Sequence, residues 1–377
     1  MTERPKALLR NFYIVLRNTV LSLFLRPRGK AEALKGVGSI LCIRIDRMGD
    51  LVITIPALKA IKENFKGARV VLLVKKDNER LAKMMPYADE VLIYEGFPAF
   101  LKKIKSRRFD IAVDFLMDYT VRTTFLAYAS GAGIKAGFDI LGRGRFYDIS
   151  FAPEPENKTT SEYTSLLALK IIRLLLGRMV DGHDFIPSLL PGKDKVSEAE
   201  RRVGLAKNGV GRHLVGFHPG GYYKSQRWPV KRFAEVADGL KSAFDNKTVI
   251  IGSKDEGGLV DEMVKSMKTK GAIKIVGPKL DELAALISLM DLLICNNSGP
   301  LHMAAAVGTP TVSTMGPTDP YLWRPAGSAH TVIRKAMRCS PCGRAVCAHH
   351  SCMRRIGADE VLEAASRHLS GNGGVKN

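Results

Sequence analysis

Acidic residues are scarce in this sequence. Its 377 residues carry 37 Asp and Glu against 58 Lys and Arg, a formal net charge of +21. Such a deficit points to an anionic partner: nucleotide, phospholipid, polyanionic glycan or nucleic acid. Nucleic acid is disfavoured, because the charge is spread along the chain and there is no RNP-type aromatic motif, zinc-finger spacing or basic helix running into heptads. Also missing is any apolar run near the ~20 residues that a spanning helix needs. Low-complexity segments are absent too, and a hydrophobic fraction of 46% marks a folded globular chain long enough for two domains.

The first 38 residues stand apart. Lys and Arg outnumber acids there eight to two, and Leu8 to Arg26 has a helical pattern. On a wheel Lys6, Arg10, Asn11, Arg17 and Asn18 share one side, and Leu9, Phe12, Tyr13, Leu16, Val20, Leu23 and Phe24 the other, with Ile14, Leu21 and Leu25 intruding on the polar side. Charges inside the apolar part and the lack of a small-residue cleavage site fit a signal peptide poorly. The pattern predicts a helix resting on anionic lipid, the alternative being one that docks on the protein itself.

Cysteines number six. Cys42 and Cys295 fall in strand patterns, whereas Cys339, Cys342, Cys347 and Cys352 crowd into 14 residues with His349 and His350. That cluster is open to three readings: a zinc site, disulfides or free thiols. Its Cys pairs lie closer together than in the usual zinc knuckle pair, and a cytoplasmic chain favours thiols.

Two turns carry the chemistry. The apolar run Leu292 to Cys295 breaks at Asn296-Asn297-Ser298-Gly299-Pro300, and Leu301 to Val307 reads as a helix. A strand-to-helix turn of this composition offers unpaired backbone N–H groups and a positive dipole end to an anion such as a diphosphate, with Ser298 able to cap. Upstream, Ile40 to Ile45 is followed by Asp46-Arg47-Met48-Gly49-Asp50 and an apolar-periodic helix from Leu51. Arg44, Asp46, Arg47 and Asp50 thus gather where α/β sheets bind ligands. A carboxylate there either caps the helix and pairs with arginine or serves as a general base.

Between 39 and about 186, strand patterns at 40–45, 69–74, 90–94 and 110–115 alternate with helices at 51–64, 78–85, 97–106 and 119–130. This is the βαβ rhythm of a doubly wound parallel sheet. After a Pro/Gly-containing linker at 185–194 a second such unit follows, with strands at 214–218, 248–252, 273–276, 292–295 and 311–314. Its His218-Pro219-Gly220-Gly221 turn permits close backbone approach and Lys224 and Arg227 add positive charge there, the alternative being an ordinary basic loop with Trp228 packed beneath it. Glu256 ends the next strand, placed to grip a ribose diol or to cap a helix.

In order, Arg44-x-Asp46-Arg47-x-Gly49-Asp50, His218-Pro-Gly220, Arg227-Trp228-Pro229, Gly252-x-x-x-Glu256, Asn297-Ser298-Gly299-Pro-x-His302 and Gly308-Thr-Pro310 resemble the bacterial lipopolysaccharide heptosyltransferases, a glycosyltransferase family. The resemblance covers about 39–365. It implies an α/β GT-B fold of two facing Rossmann-like domains: an acceptor domain at 39–188 and a nucleotide-sugar donor domain at 189–377, after the basic segment 1–38. It further implies inverting, metal-independent transfer from ADP-heptose, with no cofactor, to a lipid-linked anionic inner-core glycan, the protein being peripheral on the cytoplasmic face of the inner membrane. Asp50 matches the family's proposed base. Lys224 and Arg227 would stabilise the departing ADP, and Gly220, Gly221, Glu256, Asn297, Ser298, Gly299 and His302 would bind the donor. The chain departs from the family at Gln226, where Lys is common, and at Asn297, where Asp is common.

Overall fold

The computed structural model describes residues 3–27, 36–153, 164–177, 186–204 and 213–371. The chain divides into two compact units, Met1–Phe185 and Ile186–Asn377. In the first, α1 (Glu3–Leu21) precedes β1 (Ser39–Ile43), α2 (Met48–Val52), α3 (Ile55–Asn64), β2 (Arg69–Lys75), α4 (Glu79–Ala82), β3 (Glu90–Tyr94) and α5 (Phe97–Ile104). It continues through β4 (Ile111–Asp114), α6 (Arg122–Ala129), β5 (Ile134–Phe138), β6 (Ile149–Phe151) and α7 (Thr164–Leu176).

The second unit runs α8 (Lys193–Val203), β7 (Leu214–His218), α9 (Val230–Phe244), β8 (Lys247–Gly252), α10 (Gly257–Ser266), β9 (Ile273–Val276) and α11 (Leu280–Ser288). Then come β10 (Leu292–Asn296), α12 (Gly299–Ala306), β11 (Thr311–Thr314), α13 (Pro320–Trp323), β12 (His330–Ile333), α14 (Ser351–Arg354) and α15 (Ala358–Leu369).

Both sheets are parallel throughout and share one topology. The first has the order β3-β2-β1-β4-β5-β6 and the second β12-β11-β10-β7-β8-β9. Counted from its own first strand, each reads 3-2-1-4-5-6. Helices cover both faces of such a sheet, so its central strands are apolar on both sides. Hence Ile40, Leu41, Cys42 and Ile43 of β1, and Leu292 to Cys295 of β10, are fully buried. That burial pushes the Cys42 and Cys295 thiols far above their ordinary pKa.

The strand order reverses between β1 and β4 and between β7 and β10, and a crevice beyond the carboxyl ends of the strands is the expected ligand place in each. Register fixes what stands there: Ile43 lies opposite Asp114, Cys295 opposite His218, and Asn296 opposite Thr314.

The helix expected from Leu51 onward is in fact two. Pro56 has no N–H to return to Val52, so the ladder stops, and the Thr54 hydroxyl takes the Asp50 carbonyl at 2.8 Å. The sequence also hid β5, β6 and β12. In β5 the buried Lys135 breaks the apolar pattern; its ammonium is satisfied by the Ala132 carbonyl at 2.9 Å and by Asp148 at 3.6 Å.

Candidate active site

In the first unit the residues beyond β1 are organised by one arginine. Arg44 is 2% exposed. Its guanidinium donates to the backbone carbonyls of Asp50, at 3.0 Å, and Phe115. It also faces two carboxylates, Asp46 at 3.3 Å and Asp50 at 3.7 Å. A buried guanidinium needs such pairing, and here one cation faces two carboxyl groups. Burial pushes the Asp46 carboxyl up to about 7, against the pull of Arg44 and helped by the charges of Asp50 and Asp114. At 3.7 Å Arg44 steadies the Asp50 carboxylate without hydrogen-bonding it, leaving its lone pairs for a hydroxyl.

Neither aspartate caps α2. The cap position is Arg47, which makes no side-chain cap bond, and Asp50 lies inside the helix. Behind this edge is a buried group that sequence reading missed. Tyr147 donates to Asp114 at 2.6 Å, and Arg143 donates to the carbonyls of Phe138, Thr120 and Leu116. These bonds tie down the 116–120 loop that follows β4. Only a buried Arg in a loop-like run could have signalled it.

In the second unit Glu256 is the hub. Oε1 accepts the Gly221 N–H at 2.8 Å; Oε2 accepts the Ser253 N–H and hydroxyl, both at 2.9 Å, and lies 3.3 Å from His218 Nε2. Burial would raise this carboxyl, but the His218 and Ser253 contacts outweigh it and hold it well below the usual carboxylate range. Glu256 closes the one-turn helix Lys254–Glu256 onto Ser253, and at the N-cap of α10 it makes no side-chain cap bond. It also clamps the glycine loop. A Cβ on Gly220 would stand 2.1 Å from Glu256 Oε1, so only glycine fits there without moving the clamp.

Ser298 corrects an expectation. It sits at the N-cap of α12, yet its hydroxyl makes no cap bond. Instead it reaches the Asn296 carbonyl at 3.2 Å and lies 3.3 Å from His218 Nδ1. No side chain therefore caps the α12 terminus, the geometry an anion uses. Asn297 is 7% exposed and its N–H is spent on the Thr314 carbonyl at 3.2 Å.

The side chain that holds these pieces is Asn296, which sequence reading left without a role. Fully buried, it donates to the carbonyls of Pro219 at 2.9 Å and Gly220 at 2.8 Å. It accepts from the Trp228 N–H at 2.9 Å and the Thr314 hydroxyl at 2.8 Å. Trp228 packs beneath the loop, its indole N–H on the Ile356 carbonyl at 3.1 Å.

His218, Gly220, Gly221, Glu256 and Ser298 thus form one bonded group, and Arg227 joins it by donating to the Gly221 carbonyl at 2.8 Å. Two further expected residues stand on the helices that follow these turns. Lys224 is exposed on the one-turn helix Lys224–Gln226, and its ammonium makes no hydrogen bond or ion pair among the described residues. His302 is buried on α12, edge-on to Trp323 at 6.3 Å. Gln226, where the resemblance favours Lys, bonds the Tyr223 N–H at 3.3 Å and the Thr318 hydroxyl at 3.1 Å.

In the cysteine cluster all four sulfurs are free thiols, and no three His, Cys, Asp or Glu side chains among the described residues assemble as a metal site.

Residues 98–352 match the profile of glycosyltransferase family 9 (heptosyltransferase). With two doubly wound units, each carrying charged side chains beyond its switch-point strands, the protein is a glycosyltransferase of the GT-B fold. The chain belongs to glycosyltransferase family 9.

Among its relatives, lipooligosaccharide heptosyltransferase 2 of Campylobacter jejuni is 28% identical over 331 residues, covering 85% of this chain and 95% of that protein. Lipopolysaccharide heptosyltransferase 3 of Escherichia coli is 25% identical, covering 74% of this chain and 83% of that protein. The solved structure of E. coli ADP-heptose LPS heptosyltransferase II superposes with a TM-score of 0.73 at 19% identity, over 89% of this chain and 100% of that one.

Proposed function

We propose that the protein transfers a heptose from ADP-heptose to an anionic inner-core sugar of a lipid-linked lipopolysaccharide acceptor, by one inverting displacement that needs no metal. Asp50 takes the proton of the acceptor hydroxyl as its oxygen attacks the anomeric carbon. The bond from that carbon to the diphosphate breaks, and ADP leaves with the electron pair. The N–H groups at the start of α12, Arg227 and the nearby Lys224 receive the growing negative charge. Glu256 and the Gly220–Gly221 loop hold the nucleoside, with Asn297 and His302 lining the approach to the phosphates. The work is done at the cytoplasmic face of the inner membrane, where the protein is peripheral.

The observation that carries this reading is the α12 terminus, left uncapped by a side chain beside a glycine loop, in a family 9 chain. An E. coli heptosyltransferase of the same fold has been solved with ADP, at 15% identity and a TM-score of 0.67 over 88% of this chain and 99% of that one.

Calorimetric titration with ADP, UDP and GDP, without added metal, tests it. Selective ADP binding that weakens about tenfold or more in Glu256→Ala is expected, from loss of a charged hydrogen-bond hub. A preference for UDP or GDP would replace the donor, and binding of none would remove the catalytic reading.

A further inference from the structure

The N-terminal helix is mounted the wrong way round for a globular protein. A surface helix ordinarily turns its apolar stripe to the core and its polar face to water. Among the described side chains of α1, from Arg10 onward, the buried ones are Ile14 and Asn18, both from the side that the wheel assigns as polar. Asn18 donates to the Leu141 carbonyl at 2.9 Å, Arg17 to the Tyr119 carbonyl at 2.8 Å, and Arg145 to the Thr19 hydroxyl at 3.2 Å. The intruding Ile14 is thus explained: it belongs to a docking stripe. The opposite face, Phe12, Tyr13, Leu16 and Val20, continued by Leu23 and Phe24 in the turn that follows the helix, is left in water, with Phe12 68% and Phe24 78% exposed.

Such a run of large exposed apolar side chains marks a contact surface. Its rim is cationic: Arg10 lies over the Tyr119 ring at 5.6 Å, Arg17 sits beside it, and Arg26 is exposed at the C-terminal end. The place of docking matters equally. Tyr119 follows β4 and Leu141 follows β5, so α1 clamps the loops beyond the carboxyl ends of these strands. That is the edge of the sheet where Asp46 and Asp50 follow β1. Tyr119 and Leu141 themselves remain about as exposed as they are buried, at 42% and 39%.

We infer that the outward face of α1 is a seat for an anionic lipid bilayer, which sets the catalytic edge of the first unit against the membrane surface. Apolar side chains inserted at the headgroup boundary and a rim of arginines are the two attractions an interfacial helix combines. No helix among the described residues is long and apolar enough to cross a membrane, so the seat rests on the bilayer rather than spanning it. Charge argues for lipid over a second copy of this chain, since two copies carrying +21 each repel. The seat deepens the transferase reading, because a glycan anchored in that bilayer would meet the edge bearing Asp50.

The test is flotation of the full-length protein with vesicles of phosphatidylcholine alone and of phosphatidylcholine with phosphatidylglycerol, at low and high salt. Binding to the anionic vesicles that falls with salt is expected. A Phe12→Ser/Leu16→Ser/Phe24→Ser variant, altered only at exposed positions, should lose about tenfold or more of that binding while keeping its melting temperature and ADP affinity. Arg10→Gln/Arg26→Gln should lose the preference for anionic vesicles. Failure of the wild type to float with either vesicle would overturn the seat and leave the donor-site titration untouched. So would dimerisation abolished by the triple serine variant, which would give the face to a second copy. Loss of ADP binding with vesicle binding retained would strike the transferase reading alone.

Discussion

Glu256 holds the backbone of Gly221 at 2.8 Å across 35 residues of chain, so a carboxylate after β8 sets the path of the loop after β7. The proposed donor loop is therefore held by the protein's own side chains.

Gly220 and Gly221 separate this clamp from ordinary loop flexibility. A methyl at Gly220 meets the Glu256 carboxylate at 2.1 Å, whereas at Gly221 it meets Arg227 Cγ at a tolerable 3.4 Å. Gly220→Ala should displace the carboxylate and weaken ADP binding by about tenfold, through lost charge-assisted hydrogen bonds. Gly221→Ala should change it by less than about threefold. Titration calorimetry on the two variants decides; equal affinities would dismiss the clamp.

Asp50→Asn keeps the shape of the Arg44 group and removes the proposed base. Turnover should fall by about 10²–10⁴-fold, the usual worth of a positioned base. ADP affinity should stay within about twofold. A variant that retains near-normal turnover would take the base role from Asp50.

Asp46 makes the fold sensitive to pH in an unusual direction. Its carboxyl is raised from an ordinary 3.8 to about 7, so between these values the folded chain holds a proton that the unfolded chain has released. Stability from this group is therefore full below about pH 4 and declines as pH rises towards 7. Asp46→Asn stays neutral and lacks that decline. Urea unfolding from pH 4 to 8 should show the variant equal to wild type at the acid end and about 1–3 kcal/mol more stable at pH 8. Parallel curves would mean that Asp46 is ionised throughout.

Asn296→Ala strips two acceptors and two donors of their shared partner in a fully buried place. Leaving such groups unsatisfied costs about 1–3 kcal/mol each when no water replaces the partner. The second unit should therefore lose at least about 3 kcal/mol, read as an earlier denaturant transition. A loss below about 1 kcal/mol would show that water enters and takes over the bonds.

What the sequence made legible follows from what is local. Unbroken apolar strands such as Ile40 to Ile43 and Leu292 to Cys295 show that they are buried on both faces, and their alternation with helices gives a parallel sheet. Edge strands such as β6, three residues long, leave too few positions for a pattern. Lys135 hides β5 for a different reason: its partner Asp148 comes from the loop before β6. The glycine turns and Glu256 could be found because turn chemistry is written in neighbouring residues. Asn296 could not be assigned its work, since its partners Pro219 and Gly220 lie 77 and 76 residues away. The two-sided pattern of α1 is legible in its residues, but which side faces the protein depends on loops more than 100 residues downstream.

The two buried thiols have a use of their own. Cys42 lies in the central strand β1 of one sheet and Cys295 in the central strand β10 of the other, each wholly enclosed and held protonated. An alkylating reagent reaches either one only when its own sheet opens. Each unit therefore carries an internal clock, and labelling followed by peptide mass analysis would time the opening of the two halves separately in the same tube.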